Sequence, residues 1–245
     1  MIELLPLHAV HVDLLSTDNP DALAQADRYL SLMSDEEHTR MARLVFERDR
    51  RRFLLTRALV RTMLSRYTSV APGAWTFVTN VHGRPELLDR PAGVPDLRFN
   101  ISHTDGLIAC AMTIGREVGV DVEHVGRRLT QDVAARFFAP QEVADLHAMP
   151  ADEQPRAFFD YWTLKEAYIK ARGFGLALPL GDFAFRLAPP DNPTITFEPS
   201  MKDDPGTWQF MQDWPTPQHR LGLAVRRTGD DLPVRIREVV PQVGS

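Results

Sequence analysis

Cysteine is almost missing from the 245-residue sequence. Cys110 stands alone, so an internal disulfide framework and a multi-cysteine zinc site are both excluded. It lies in the apolar run 107–112, where a thiol serves as a small buried hydrophobe. Long hydrophobic runs are also lacking. No stretch approaches the roughly 20 apolar residues of a membrane span. The start MIELLPLHAVHVD has neither the basic opening nor the continuous apolar core of a secretion signal. A cytoplasmic location without membrane association is therefore expected. An excess of positive charge is absent as well: 28 Lys and Arg face 33 Asp and Glu, for a net charge of -5. Nucleic acid or anionic lipid needs a basic face, so no nucleic-acid partner is expected and any basic patch must be local.

What is present is an ordinary globular composition, 44% hydrophobic and 25% charged, long enough for one large domain or two small lobes. Residues 9–15 alternate as a strand, and 21–32 read as a helix after the turn Thr17-Asp18-Asn19-Pro20. Ser34 with Glu37 three residues later has the form of a capping box that opens another helix. From Glu47 to Tyr67, apolar residues such as Phe53, Leu54, Ala58 and Leu64 interleave with arginines at helical spacing, predicting a long helix. Strands follow at 75–79, 98–101 and 107–114, the last two around a Ser-His-Thr-Asp-Gly turn, with Gly83-Arg84-Pro85 forming another turn. The order then recurs. A strand at 117–122 precedes helices at 130–138, 140–148 and 155–172, the last closed by Gly173, and strands at 183–187, 194–197, 208–212 and 220–225. Pro189 to Pro193 and Pro215 to Pro217 read as surface turns.

Val10-His11-Val12-Asp13 and Val118-Gly119-Val120-Asp121 open the two halves in the same way, which suggests a duplicated lobe. The expected division is an N-terminal lobe, 1–115, and a C-terminal lobe, 116–245. A small-ligand site then belongs between the lobes by default.

Three segments carry chemistry. Asp121 and Glu123 are two apart on a strand, so they leave the same face. Two adjacent carboxylates repel, and a hard cation such as Mg²⁺, which takes a few carboxylates plus water and phosphate oxygens, relieves that. The same pattern also suits a solvated strand face. Glu166 and Lys170 are four apart and share one face of a long helix anchored by Phe158, Phe159, Trp162 and Ile169; alone, they equally fit a surface ion pair. Phe99-Asn100-Ile101-Ser102-His103 leads into a turn able to offer a hydroxyl, an imidazole and backbone amides to a phosphate. Ser102 and His103 are not read as a nucleophile and base, since strand neighbours point to opposite faces and no third orienting group is visible.

Together and in order, Gly83-Arg84-Pro85, Phe99-Asn100-Ile101-Ser102-His103, Gly119-Val120-Asp121-Val122-Glu123 and Trp162-x-x-Lys165-Glu166-Ala167-x-x-Lys170 resemble the Sfp-type 4'-phosphopantetheinyl transferases. The resemblance runs from about residue 40 to 187. It includes Phe137-Phe138 before one helix and Gly173-Phe174-Gly175-Leu176 after another. Arg84 stands where lysine is frequent, and Thr104 where serine is frequent. Arginine suits phosphate through bidentate contact.

The resemblance implies an α+β fold of two similar lobes related by a pseudo-twofold, each a long helix packed on a small antiparallel sheet. It implies an enzyme that moves the phosphopantetheinyl arm of coenzyme A to a serine of apo acyl or peptidyl carrier proteins, with release of adenosine 3',5'-bisphosphate. Asp121, Glu123 and Glu166 are then the Mg²⁺ ligands, and Lys170 and His103 contact the pyrophosphate. Arg40, Arg84, Asn100, Ser102 and His103 hold the nucleotide and its 3'-phosphate. Arg43, Arg50, Arg51, Arg52 and Arg57 rival Arg40. Glu166, directly or through an ordered water, is the expected base, Lys170 and His103 complete the catalytic set, and the carrier is expected around the helices 131–148. A fused pair of lobes has less need of a second chain, so a monomer is expected. The residues by themselves leave two other classes open: a metal-dependent phosphodiester or pyrophosphate hydrolase, and a non-catalytic coenzyme A or nucleotide binder.

Overall fold

The computed structural model describes residues 9–127, 133–187 and 192–243. In chain order these form β1 (Val10–Ser16), α1 (Pro20–Leu23), α2 (Ala26–Leu30), α3 (Asp35–Ala42), α4 (Glu47–Arg66), β2 (Phe77–Thr79), β3 (Pro85–Leu87), β4 (Leu97–His103) and β5 (Leu107–Ile114). There follow β6 (Val118–His124), α5 (Val133–Phe137), α6 (Pro140–Ala148), α7 (Gln154–Arg172), β7 (Phe183–Arg186), β8 (Thr194–Phe197), β9 (Trp208–Thr216), β10 (His219–Arg226) and β11 (Val234–Glu238). The class is α+β. No helix among the described residues is long and apolar enough to cross a membrane.

The chain divides into two compact units. The first comprises 9–80, 85–115 and 233–243. Its sheet has the order β11-β1-β5-β4, antiparallel except where β11 joins β1 in parallel. Leu55, Leu59 and Met63 recur every fourth residue along α4 and pack with Leu15, Phe99, Ile108, Cys110 and Met112 of the sheet. That spacing is one face of a helix. Cys110 is fully buried, and desolvation raises its thiol pKa far above the ordinary range, with Asp13 adding to the rise. The capping box of α3 is formed: Ser34 Oγ accepts from the Glu37 amide while the Glu37 carboxylate accepts from the Ser34 amide.

Sequence grouped the last residues with the second lobe, but 233–243 belong to the first unit. The reason is electrostatic as well as topological. Asp13 is fully buried on β1, and Arg237, its register partner on β11, donates from Nε to its Oδ1 at 2.8 Å. Arg66 at the end of α4 donates to Oδ2 at 2.6 Å. A carboxylate removed from water demands such partners. Arg237 also donates to the Tyr67 hydroxyl at 2.8 Å, which shares a short hydrogen bond with His11 Nδ1.

The second unit comprises 81–84, 116–127, 133–187 and 192–232. Its antiparallel sheet has the order β6-β10-β9, and α7 crosses it. Two glycines allow the close approach. A Cβ at Gly119 would stand 2.0 Å from the Ala167 carbonyl oxygen, and one at Gly222 would stand 2.5 Å from that of Thr163. Backbone meets backbone there, so no side chain fits. α7 ends on Gly173 in the left-handed region, φ 72°, with its amide on the Ile169 and Lys170 carbonyls. This is a left-handed helix cap.

Several local expectations change. The helix read at 21–32 is two short ones, because Asn19 caps α1 through the Ala22 amide and the chain turns again before α2. β4 continues through His103, so Ser102 and His103 belong to a strand rather than to the turn. β9 runs on to Thr216 and includes Pro215, opposite a register shift between His219 and Leu221. An edge strand with such an irregularity tolerates proline. Residues 130–132 of the helix expected at 130–138, and 189–191 of the first proline-rich turn, lie outside the described residues.

Candidate active site

The face of β6 that carries Gly119 also carries Asp121 and Glu123, because strand side chains alternate. The opposite face is valine: Val118, Val120 and Val122 are buried. Since α7 is seated on Gly119, its residues are brought against the two carboxylates. Trp162, Glu166 and Lys170 are spaced by four and form one stripe of the helix. Lys170 Nζ donates to Asp121 Oδ1 at 2.6 Å. Trp162 Nε1 donates to Glu123 Oε1 at 3.2 Å, and Arg127 lies 3.5 Å from Glu123 Oε2.

Glu166 sits in the middle of this stripe. Its pKa is pushed up from 4.5 to about 7, first by burial and then by the charges of Asp121 and Glu123, with Lys170 opposing them. Glu123 is raised by burial and then by Asp121, with Arg127, Trp162 and Lys170 opposing. The cause is common to both: partly desolvated carboxylates face each other with one lysine among them. Perturbed titratable groups of this kind cluster at functional sites.

Among the described residues no three His, Cys, Asp or Glu side chains are gathered to hold a metal ion by themselves. The donor chemistry fits Mg²⁺, a hard cation that takes carboxylate oxygens and completes its shell with water and phosphate oxygens. Carboxylates that raise one another's proton affinity are those that a cation would relieve.

Lys165, next to Glu166 in the same motif, points away from the cluster. It is fully buried, pairs with buried Glu142 at 2.7 Å and donates to the Leu180 and Phe183 carbonyls. Desolvation lowers its pKa against the opposing pull of Glu142. Lys165 is therefore a pin that joins α7 to α6 and to the start of β7. Trp162, expected only as a core anchor, is also a hydrogen-bond donor to the cluster; the sequence signal for this was its spacing of four before Glu166. Gly222 had no motif to announce it.

Arg84 belongs to the second unit, through the short segment 81–84. Its Nη1 donates to the Lys170 and Ala171 carbonyls at 2.8 and 2.9 Å. The first unit carries the remaining predicted residues. Asn100 and Ser102 are buried on β4 and His103 is exposed at its end. Arg40 is exposed on α3, with its guanidinium 5.7 Å from the centre of the Phe53 ring. Near it, Arg57 and Arg61 converge on Glu37. Burial lowers the Arg57 pKa, Glu37 opposes the change, and Arg40 and Arg61 add to it.

A desolvated carboxylate–lysine cluster between a strand and a helix marks the candidate site for proton transfer or cation binding. The comparisons with known proteins make the class definite. The family model for the 4'-phosphopantetheinyl transferase superfamily matches residues 117–223, and the model for the 4'-phosphopantetheinyl transferase N-terminal region matches 20–114. The 4'-phosphopantetheinyl transferase HetI of a Nostoc species is 36% identical over 223 residues, covering 90% of this chain and 89% of that protein. The 4'-phosphopantetheinyl transferase Sfp of Bacillus subtilis is 35% identical over 170 residues, 69% of this chain and 73% of that one. The 4'-phosphopantetheinyl transferase ffp of Bacillus subtilis is 32% identical, with 77% and 85% covered. The chain belongs to the 4'-phosphopantetheinyl transferase family and is an enzyme of that class.

Proposed function

We propose that this transferase takes the phosphopantetheinyl arm from coenzyme A and places it on a serine of apo acyl or peptidyl carrier proteins, with Mg²⁺ held by Asp121, Glu123 and Glu166. The observation that carries the reading is the cluster around Glu166, whose pKa is raised to about 7 by burial and by Asp121 and Glu123. Carboxylates that raise one another's proton affinity suit a bound cation, and a carboxylate among them is able to accept the serine proton. Mg²⁺ bound there supplies positive charge to the pyrophosphate oxygens.

The chain's own residues do the rest. The serine Oγ forms a bond to the phosphorus that carries the pantetheine arm, and the bond from that phosphorus to the bridging oxygen breaks. The electron pair leaves on adenosine 3',5'-bisphosphate. Glu166 takes the serine proton, directly or through one water. Lys170, held to Asp121, supplies a fixed positive charge where negative charge grows. Trp162 fixes Glu123 through its indole N–H. Rigid placement on β6 and α7 keeps reorganisation during the reaction small.

The test is incubation of the chain with coenzyme A, Mg²⁺ and a panel of apo carriers, read by mass spectrometry. The expected result is a gain of one phosphopantetheine arm on a carrier serine, dependent on all three components. Release of free phosphopantetheine without a carrier would instead indicate a hydrolase, and no modification of any carrier would refute the proposal.

A further inference from the structure

We infer that Arg84 is a positioning residue, which clamps the C-terminal turn of α7 and thereby places Lys170, rather than a ligand of the nucleotide phosphate. The inference rests on the reading of Lys170 given above, but its geometry stands independently. The last carbonyls of a helix have no intrahelical partner. In α7 the Gly173 amide serves those of Ile169 and Lys170. The Ala171 carbonyl receives Arg84 Nη1 at 2.9 Å, and the same nitrogen donates to the Lys170 carbonyl at 2.8 Å. A cation at this end also opposes the negative pole of the helix.

The other nitrogen extends the clamp. Arg84 Nη2 donates to the Val118 carbonyl at 3.5 Å, at the start of β6. One guanidinium thus spans the strand that carries Asp121 and the helix that carries Lys170, three residues along β6 from the first and at the very residue of the second. Its neighbours support the same docking. His82 meets Phe174 edge to face with ring centres 5.9 Å apart, and a Cβ at Gly175 would lie 3.7 Å from the Cβ of His82. Gly83, at φ 87°, makes the turn between His82 and Arg84 in a conformation that side chains rarely adopt. The segment 81–84 is grouped with the second unit although the residues on both sides of it belong to the first, and these contacts are the reason. Lysine carries one compact ammonium in place of the planar fork, so the arginine is the better residue for bridging three carbonyls.

The experiment compares Arg84→Lys and Arg84→Met with the native chain in thermal unfolding, hydrogen exchange and steady-state kinetics with varied coenzyme A. The clamp predicts a Tm lower by about 4–10 °C for Arg84→Met, faster exchange at the Arg172 and Gly173 amides, and kcat down about tenfold or more, with KM for coenzyme A within about twofold. Arg84→Lys falls between the two, and keeps the inference testable if the methionine variant does not fold. A KM raised fivefold or more in either variant, or an unchanged Tm with unchanged exchange, overturns the inference. Should the native chain modify no carrier, the functional reading fails separately, and Tm and exchange still decide the clamp.

Discussion

Glu166→Gln should make the protein more stable and inactive at once. Glutamine keeps the shape of the side chain and the helix but removes the charge that faces Asp121 and Glu123. The folded protein holds the Glu166 proton more tightly than the unfolded chain does, since the pKa rises from 4.5 to about 7 on folding. Wild-type stability from this group is therefore intact below about pH 4.5, falls as the pH rises, and is fully lost above about pH 7. At about 1.4 kcal/mol per pH unit, the penalty at pH 8 is about 3 kcal/mol, or about 6–12 °C in Tm for a chain of this size. The assay is thermal unfolding of both proteins at pH 5 and pH 8 without divalent cations. Glu166→Gln should melt close to wild type at pH 5 and well above it at pH 8. Added Mg²⁺ should raise the wild-type Tm at pH 8 and leave the variant nearly unmoved, while transferase activity drops about 10²- to 10⁴-fold. A Tm difference that is the same at both pH values, or a variant less stable than wild type at pH 8, refutes the reasoning.

Lys165→Met should leave the fully buried Glu142 without its counter-charge and cost about 3–5 kcal/mol, read by urea unfolding. The double variant with Glu142→Gln should recover part of that loss, which a surface pair would not show. Gly222→Ala should lower stability by about 1–3 kcal/mol, because its Cβ would stand 2.5 Å from the Thr163 carbonyl oxygen. Its kcat should fall with it as α7 is lifted from the sheet; an alanine variant of native Tm and activity would show that the glycine seat does not set the helix position.

The sequence by itself determined the elements whose signals are local. The capping box at Ser34, the long helices ending on Tyr67 and Gly173, and the alternation of β6 all follow from contacts within a few residues, where spacing alone decides which side chains share a face. It likewise placed Asp121 with Glu123 and Glu166 with Lys170. What it did not contain was the distance between those pairs. That was decided by Gly119 and Gly222, which let α7 lie directly on β6 and β10 and so turned two ordinary pairs into one desolvated cluster. Tertiary packing also separated neighbours: Lys165 went to the core with Glu142 while Glu166 went to the site, because adjacent helical residues point about 100° apart. The end of the chain was the least legible part. β11 pairs with β1 across more than two hundred residues, and the buried charge of Asp13, which Arg237 meets from β11, helps to hold it there. Local chemistry is written in short spacings, whereas burial and long-range pairing exist only once the chain has closed on itself.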